Sequence, residues 1–572
     1  MYRSMLTCLG FLTTFLAISP LFARDGGGGP ASGSAGIVYR QILRDYNIQD
    51  ITPGDSIPLL DVDIPSEIFN IPAGISVYVG NIVVHKNFPL FNKEISKITA
   101  QYMNQELNGE SLTNLCSEIQ KLYAAAGYIA AWVYPPVQRF DSDTLTISIQ
   151  EGVLGNIEIK GNTSYKTKYI QRYFDHLRGQ PLNIHQLIKA MLLVKENSNI
   201  TVQGVLKAGQ EVGSADLTLT VEDSRPLQLS AGYNNWGSSL TSFNQLSSVF
   251  TIGNLATSGD TLSMMTSCGA PFVFYYFNPT YTIPLTGSGS NLNLSYAFSQ
   301  SNTQGEWKSY NMSSWTEIAS ITYNQPLART RKFQAGVNAG FNFSQYKNLE
   351  AGATTSYDRL RIVTLGGTID YTDSLKGQNV ITPTLNIGIP DILGGSSVVD
   401  PLCSRIGGGG RYYILILNGQ RVQPLLTDCM FIITTGAQAT FNKIPLSVQY
   451  FLGGMGTVRG YTSALAVGDV GYCANFEFYI PPPFLKKRMF KPMKKTWGEI
   501  MQLLAFVDHG GVYTIQDVEG EIPAAYLTSV GAGLRFYGPH NFSLSFDAGF
   551  PVMNQYKQFS SILYVRLNMN FL

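Results

Sequence analysis

The chain has 572 residues, and 40 Lys+Arg against 39 Asp+Glu leave a formal charge of +1, a balance that argues against a broad nucleic-acid footprint. Charged residues make up 14% of it, against roughly 25% in soluble proteins, too few for the surface of a water-soluble enzyme of this length. After the N-terminal segment no run of about 18 apolar residues appears, which excludes a helical membrane protein. With 32 Tyr, 31 Phe and 56 Gly against 5 Trp, a closed β-barrel is the membrane solution that remains.

Arg3, the apolar stretch Met5–Ile18 and Pro20 predict a secretory signal peptide over residues 1–23. Residues 24–73 follow as a Gly-rich tether (Gly26–Gly29), a short helix over Tyr39–Tyr46, and an irregular linker punctuated by Pro53, Pro58, Asp61, Asp63 and Pro65. From 74 to 152 the pattern is a small α/β unit. Ile75, Val77 and Val79 alternate; Leu112, Leu115, Ile119 and Leu122 have helical spacing; Leu145, Ile147 and Ile149 alternate again. A second unit over 153–224 repeats the order, from Ile157-Glu158-Ile159 through helices near Thr167–His176 and Ile184–Leu193 to Leu217, Leu219 and Val221. Both are too polar for lipid and belong in an aqueous compartment.

From 225 to 572 a period of two dominates. Leu292, Leu294, Tyr296 and Phe298 share one face and Asn293, Ser295 and Ala297 the other; Phe333–Phe341 and Phe542–Ala548 repeat the stripe. At roughly 20 residues per strand and connection, this length predicts about 16 antiparallel strands with an apolar face to lipid. A bore that wide is not filled by side chains, so a plug or channel is expected. The last segment alternates Leu563, Val565, Leu567, Met569 and Phe571 against Tyr564, Arg566, Asn568 and Asn570, as a closing strand would.

After the signal, five cysteines remain, and an odd number cannot all pair within one exported molecule. Cys403 and Cys429 flank a polar stretch containing Gly407–Gly410 and Asn418-Gly419, making them the disulfide candidate, with two unpaired thiols the alternative. No CxxC spacing occurs, and His85, His176, His185, His509 and His540 form no metal-spaced cluster, so neither a metal nor another cofactor is expected.

The glycine-dense run Phe451-Leu452-Gly453-Gly454-Met455-Gly456-Thr457-Val458-Arg459-Gly460-Tyr461 can fold back sharply, because glycine tolerates positive φ. If it enters the lumen, Arg459 needs an acceptor there. Phe506-Val507-Asp508-His509-Gly510 offers one: alternation puts Phe506, Asp508 and Gly510 on one face, assigned to the lumen, and turns His509 away. A bidentate Arg459–Asp508 pair is therefore predicted. Between these motifs Lys486, Lys487, Arg488, Lys491, Lys494 and Lys495, interleaved with Phe484, Phe490 and Trp497, read as an insertion in a periplasmic turn, either set on anionic headgroups or simply solvated.

With these motifs the chain resembles the outer-membrane transporters of two-partner secretion, the TpsB or haemolysin secretion/activation family. Supporting elements are Gly127-Tyr128, Pro135-Pro136-Val137-Gln138, Glu151-Gly152, Gly161-Asn162, Asn235-Trp236-Gly237, Asn254 and Gly259-Asp260. The resemblance implies two periplasmic POTRA domains (74–152 and 153–224), a plug helix at Tyr39–Tyr46 and a monomeric outer-membrane barrel. Val458, Arg459, Gly460 and Tyr461 would form its inward-folded loop, anchored by Phe506, Asp508 and Gly510. It further implies a secreted exoprotein captured unfolded by residues 74–223, with outer-membrane lipid and no nucleic acid as the other partners. A barrel-assembly insertase and a passive porin are the alternatives. No GxSxG elbow or phosphate-binding loop suggests an enzyme.

Overall fold

The computed structural model describes residues 59–571, apart from 64–75, 87, 139–142, 197–198, 211–212, 239–241, 426–427, 516–520, 522, 540 and 554–560. The expected signal peptide and the Tyr39–Tyr46 helix lie outside the described residues. In the first α/β unit, Asn81–Lys86 runs parallel to Thr144–Gln150, which pairs antiparallel with Trp132–Tyr134. The Asn108 side chain caps the helix Gly109–Ala125, accepting from the Ser111 N–H at 2.8 Å. Gly127, at φ 91°, ends that turn. Leu115, Ile119 and Tyr123 from the helix meet Leu145 and Ile147 from the sheet in a closed core, and the buried Tyr123 hydroxyl donates to Glu151 at 3.0 Å.

The second unit carries a four-stranded sheet in the order Leu60–Asp63, Ile200–Ala208, Ser214–Asp223 and Val153–Lys160. Its first strand comes from the segment expected to be irregular. Leu60–Asp63 adds in parallel to the edge strand Ile200–Ala208, and Leu60 packs against the core of the unit. An unpaired edge is a template for any extended segment, and here the chain's own linker takes it.

The barrel is closed, with 16 antiparallel strands. The first, Leu227–Asn234, pairs with the last, Ile562–Asn570, from Ser230 opposite Asn570 to Asn234 opposite Arg566. Asn235 extends the seam, donating to the Leu563 carbonyl at 2.8 Å and accepting from the Val565 N–H at 2.7 Å. Among the described residues no helix is long and apolar enough to cross a membrane; the strands cross instead. Their outward face exposes Leu294, Tyr296, Ile321, Tyr323, Val337, Leu365, Leu415, Phe476 and Phe478 to lipid.

Because the second unit feeds directly into the first strand, that strand starts on the periplasmic side, and alternation sets the side of every connection. Cys403 and Cys429 are both thiols, so the candidate disulfide is not formed. Asn418-Gly419, read as part of a loop, belongs to the 13-residue strand Tyr412–Pro424. Cys403 sits in the outer connection before this strand and Cys429 in the inner turn after it, roughly 40 Å away at about 3.4 Å per residue. Burial, and next the negative charge of Asp358, push the Cys403 thiol up to about 12.

The joint between the second unit and the barrel rests on two carboxylates. Asp223 accepts N–H bonds from Thr163, Ser164 and Tyr165, and Asp260 accepts them from Leu255, Ala256 and Thr257. Across the joint the Asn254 side chain donates to the Ser164 carbonyl at 3.1 Å. Gly259, at φ 88°, leaves room for Tyr169, whose hydroxyl would stand 2.0 Å from a Cβ there. Burial disfavours both ionised carboxylates, but the converging hydrogen bonds outweigh it and hold both pKa values below the usual range. A depressed folded pKa means that the stabilisation is complete above about pH 4 and is lost as pH falls through the folded values. Hydrogen exchange of residues 160–170 and 254–260 should therefore accelerate on acidification below that range. Asp260→Asn should loosen the same segments at neutral pH, and unchanged protection in that variant would contradict this account of the joint.

Candidate functional site

The outer connection between the eleventh strand, Met430–Ala439, and the twelfth, Val470–Ile480, spans 440–469 and turns into the lumen. Tyr450–Leu452 and Ala466–Gly468 pair as its stem. The tip needs glycine: Gly453, Gly454 and Gly460 have φ of 106°, 94° and 86°, a region in which a side chain is strained. Gly460 also lies against Gly549 of the fifteenth strand, where a Cβ would come within 2.9 Å of the Gly549 carbonyl carbon. The tip is closed by hydrogen bonds from the Gly453 N–H to the Thr457 hydroxyl at 2.8 Å and from the Gly454 N–H to the Tyr461 carbonyl at 3.1 Å.

This geometry delivers Arg459 to the lumenal face of the thirteenth strand, Met501–Tyr513. The guanidinium binds Asp508 in bidentate fashion, Nε to Oδ2 and Nη2 to Oδ1 at 2.7 Å each, and the Arg459 backbone N–H reaches Oδ2 at 3.1 Å. Nη1 donates to Glu477 on the twelfth strand at 2.7 Å. Below, the Phe506 ring centroid stands 3.5 Å from Cζ, a cation–π contact. Arg459 is 2% exposed and Asp508 0%, so the ions meet in a dry setting where removing one partner costs about 3–5 kcal/mol. Gly510, the third inward residue, leaves space for Leu452: a Cβ there would lie 2.6 Å from Leu452 Cδ1. Val458 is fully buried in the small core beneath the tip, with Leu452 and Tyr461.

Tyr461 continues the clamp, its hydroxyl lying 2.9 Å from the Thr528 carbonyl and 2.7 Å from that of Met553. Tyr564 on the closing strand accepts from the Gly460 N–H and donates to the Tyr461 carbonyl, both at 3.1 Å. The tip thus touches the twelfth to sixteenth strands. His509, as its phase predicts, points away from the lumen, with its ring near the hydroxyls of Tyr472 at 3.1 Å and Thr528 at 2.8 Å; it makes no dyad with Asp508.

Three participants had escaped the sequence reading. Glu477 lies inward between the outward Phe476 and Phe478, so its phase alone marks it as a lumenal charge. Tyr564 lies on the polar face of the last strand. The third is a lock at the outer mouth. Arg405 donates from Nη1 to both oxygens of Asp469 at 2.7 and 2.8 Å, and from Nε and Nη2 to Glu521 at 2.7 and 2.8 Å. It ties three outer connections together, and one of them is the connection that carries Arg459. A further bidentate pair, Arg535 with Asp547 at 2.9 Å twice, lines the lumen nearby. A cavity of about 160 Å³ between these groups is bounded by Trp236, Met455, Arg459, Glu477, Arg535 and Arg566.

Arg459→Ala and Asp508→Ala should each free the tip, seen as proteolysis within 453–461 of the folded, heat-modifiable barrel. Asp508→Asn retains the shape but not the charge and should give an intermediate effect. Protease resistance equal to the parent in all three variants would remove the ion pair from its role as the anchor.

The family described as haemolysin secretion/activation protein ShlB/FhaC/HecB matches residues 213–536, and the ShlB-type POTRA domain matches 77–152. The heme/hemopexin transporter protein HuxB of Haemophilus influenzae (strain 86-028NP) is 21% identical over 490 residues, 83% of either chain. The outer membrane transporter CdiB of Escherichia coli is 27% identical over 176 residues, 31% of this chain and 30% of that one. Among solved structures, CdiB from Escherichia coli superposes with a TM-score of 0.75 at 19% identity, covering 96% of this chain and 100% of that one. BamA from Haemophilus ducreyi lacking POTRA domains 1–3 gives 0.52 at 16% identity over 86% and 100%. At these identities the structural likenesses speak for the fold.

Proposed function

The chain belongs to the haemolysin secretion/activation family, an outer-membrane β-barrel transporter with its POTRA region in the periplasm, and from that premise we propose how its parts export a partner protein. A secreted exoprotein, unfolded, is captured by residues 74–223 and threaded through the barrel of 225–572. Extended polypeptide gains backbone hydrogen bonds by adding to a sheet edge with little demand on sequence. One such edge, Ile200–Ala208, already holds Leu60–Asp63. The cargo would then use another edge of the two units or displace this strand. The work is transport, and no step of it requires chemistry on the cargo.

The observation that carries this reading is the inward loop. A buried arginine bound to two carboxylates bolts the 440–469 connection across the bore, and an exported chain has to get past it. Val458, Arg459, Gly460 and Tyr461 act as the bolt, with Phe506, Asp508 and Gly510 as its seat. Its three-fold attachment makes release a discrete event, driven by a cargo segment that offers replacement contacts.

An insertase would share the fold, as the likeness to BamA indicates, but two periplasmic units and the family match over residues 213–536 favour export. Arg459→Ala and Asp508→Ala should lower secretion of the partner exoprotein at least about a hundredfold, the scale of the roughly 3–5 kcal/mol lost with one partner of a buried charge pair, while membrane insertion persists. Deleting 74–223 should abolish export yet leave ion conductance in planar bilayers. Full secretion by either point variant removes the bolt from the mechanism. Full secretion by the deletion leaves a porin-like pore as the better description, and defective assembly of other outer-membrane barrels on loss of the protein would favour the insertase.

A further inference from the structure

The periplasmic connection between the twelfth and thirteenth strands is twenty residues long (481–500) and folded, whereas its neighbours are short turns. Met489–Phe490 pairs with Lys495–Thr496, and the Trp497 N–H closes on the Arg488 carbonyl at 3.0 Å. The Phe490 and Trp497 ring centroids lie 4.8 Å apart. Glu499, the one acidic residue of the segment, is held in a capping box by the Thr496 N–H at 2.6 Å and hydroxyl at 2.8 Å. Lys486 pairs with Asp428 of the adjacent inner turn at 2.6 Å, which holds the segment along the rim. Lys487, Arg488, Lys491, Lys494 and Lys495 all remain exposed.

Phe484 is 99% exposed and Met489 57%. Both occur among five exposed cations, directly beneath strands whose outward residues Phe476 and Phe478 meet lipid. An apolar tip beside a cluster of cations at the edge of a bilayer matches a phospholipid interface, which supplies acyl chain to one and phosphate to the other. We propose that residues 484–497 form a lipid-reading foot that seats the barrel rim on anionic phospholipid of the periplasmic leaflet. Phe484 enters the acyl boundary and the five cations contact headgroup phosphates. The foot connects to the strands carrying Glu477 and Asp508, so its seating holds the wall on which the Arg459 loop is anchored.

The test places full-length protein in vesicles of phosphatidylcholine alone or mixed with phosphatidylglycerol, one lipid at a time brominated on its acyl chain. The Trp497 signal is the fluorescence difference between the parent and Trp497→Phe. Brominated phosphatidylglycerol should quench it more than brominated phosphatidylcholine at equal mole fraction, and high salt should remove the excess. Replacing Lys487, Arg488, Lys491, Lys494 and Lys495 together by Gln should reduce the phosphatidylglycerol preference at least about tenfold without altering heat-modifiable migration. Equal quenching by the two lipids in the parent overturns the proposal, as does an undiminished preference in the Gln variant. Protection of Trp497 by an added acidic unfolded polypeptide, without lipid preference, would assign the foot to cargo instead.

Discussion

A charge taken out of water has to be answered where it lands, and this constraint organises the barrel interior. Arg459 is carried inward on a loop whose one acidic residue, Asp469, is taken by Arg405, so the wall supplies two anions, Asp508 and Glu477, from adjacent strands. The pair is not an inexpensive ornament, because desolvating both ions costs about as much as their attraction returns. Its value lies in discrimination: the inserted loop is satisfied, and a half-withdrawn one leaves buried charges without partners. Such an arrangement favours two positions over a continuum.

The same connection is held a second time at the outer mouth. Asp469, the last residue of the 440–469 segment, accepts the Arg405 guanidinium at 2.7 Å and the Ile515 N–H at 2.6 Å. Arg405 meanwhile bridges to Glu521. The lumenal anchor and the outer lock therefore share one piece of chain. On the proposed reading, transport through this bore is the displacement of one ion-paired element rather than diffusion past scattered side chains.

On the periplasmic side the logic is backbone pairing in place of charge. Leu60–Asp63 satisfies the open edge of the second unit, while Asp223 and Asp260 gather the N–H groups of the turns that bind this unit to the barrel. The POTRA region is thus docked by carboxylate-capped turns and has one edge already occupied by the linker that precedes it.

What the sequence determined by itself is the part of the structure with a local period. Alternation of apolar and polar residues identified the strand region and the inward phase of Phe506, Asp508 and Gly510, because the pleat repeats every two residues whatever the partner strand; the strand count came from the length of that region at roughly 20 residues per strand and connection. The glycines of 453–460 marked a sharp inward turn because positive φ is a property of single residues. Tertiary structure alone decided which distant groups meet. Glu477 joins Arg459, Tyr564 clamps Gly460, and Arg405 finds Asp469 and Glu521, because closure and register of sixteen strands bring together these positions, 18 to 116 residues apart in the chain. The Cys403–Cys429 pairing failed for the same reason: Asn418-Gly419 resembles a loop in isolation, but inside the barrel it extends a strand that sets the two thiols on opposite sides of the membrane. Leu60–Asp63 alternates over only four residues between Pro58 and Pro65, too short a run to mark a strand, and it became one only when an open edge was offered to it.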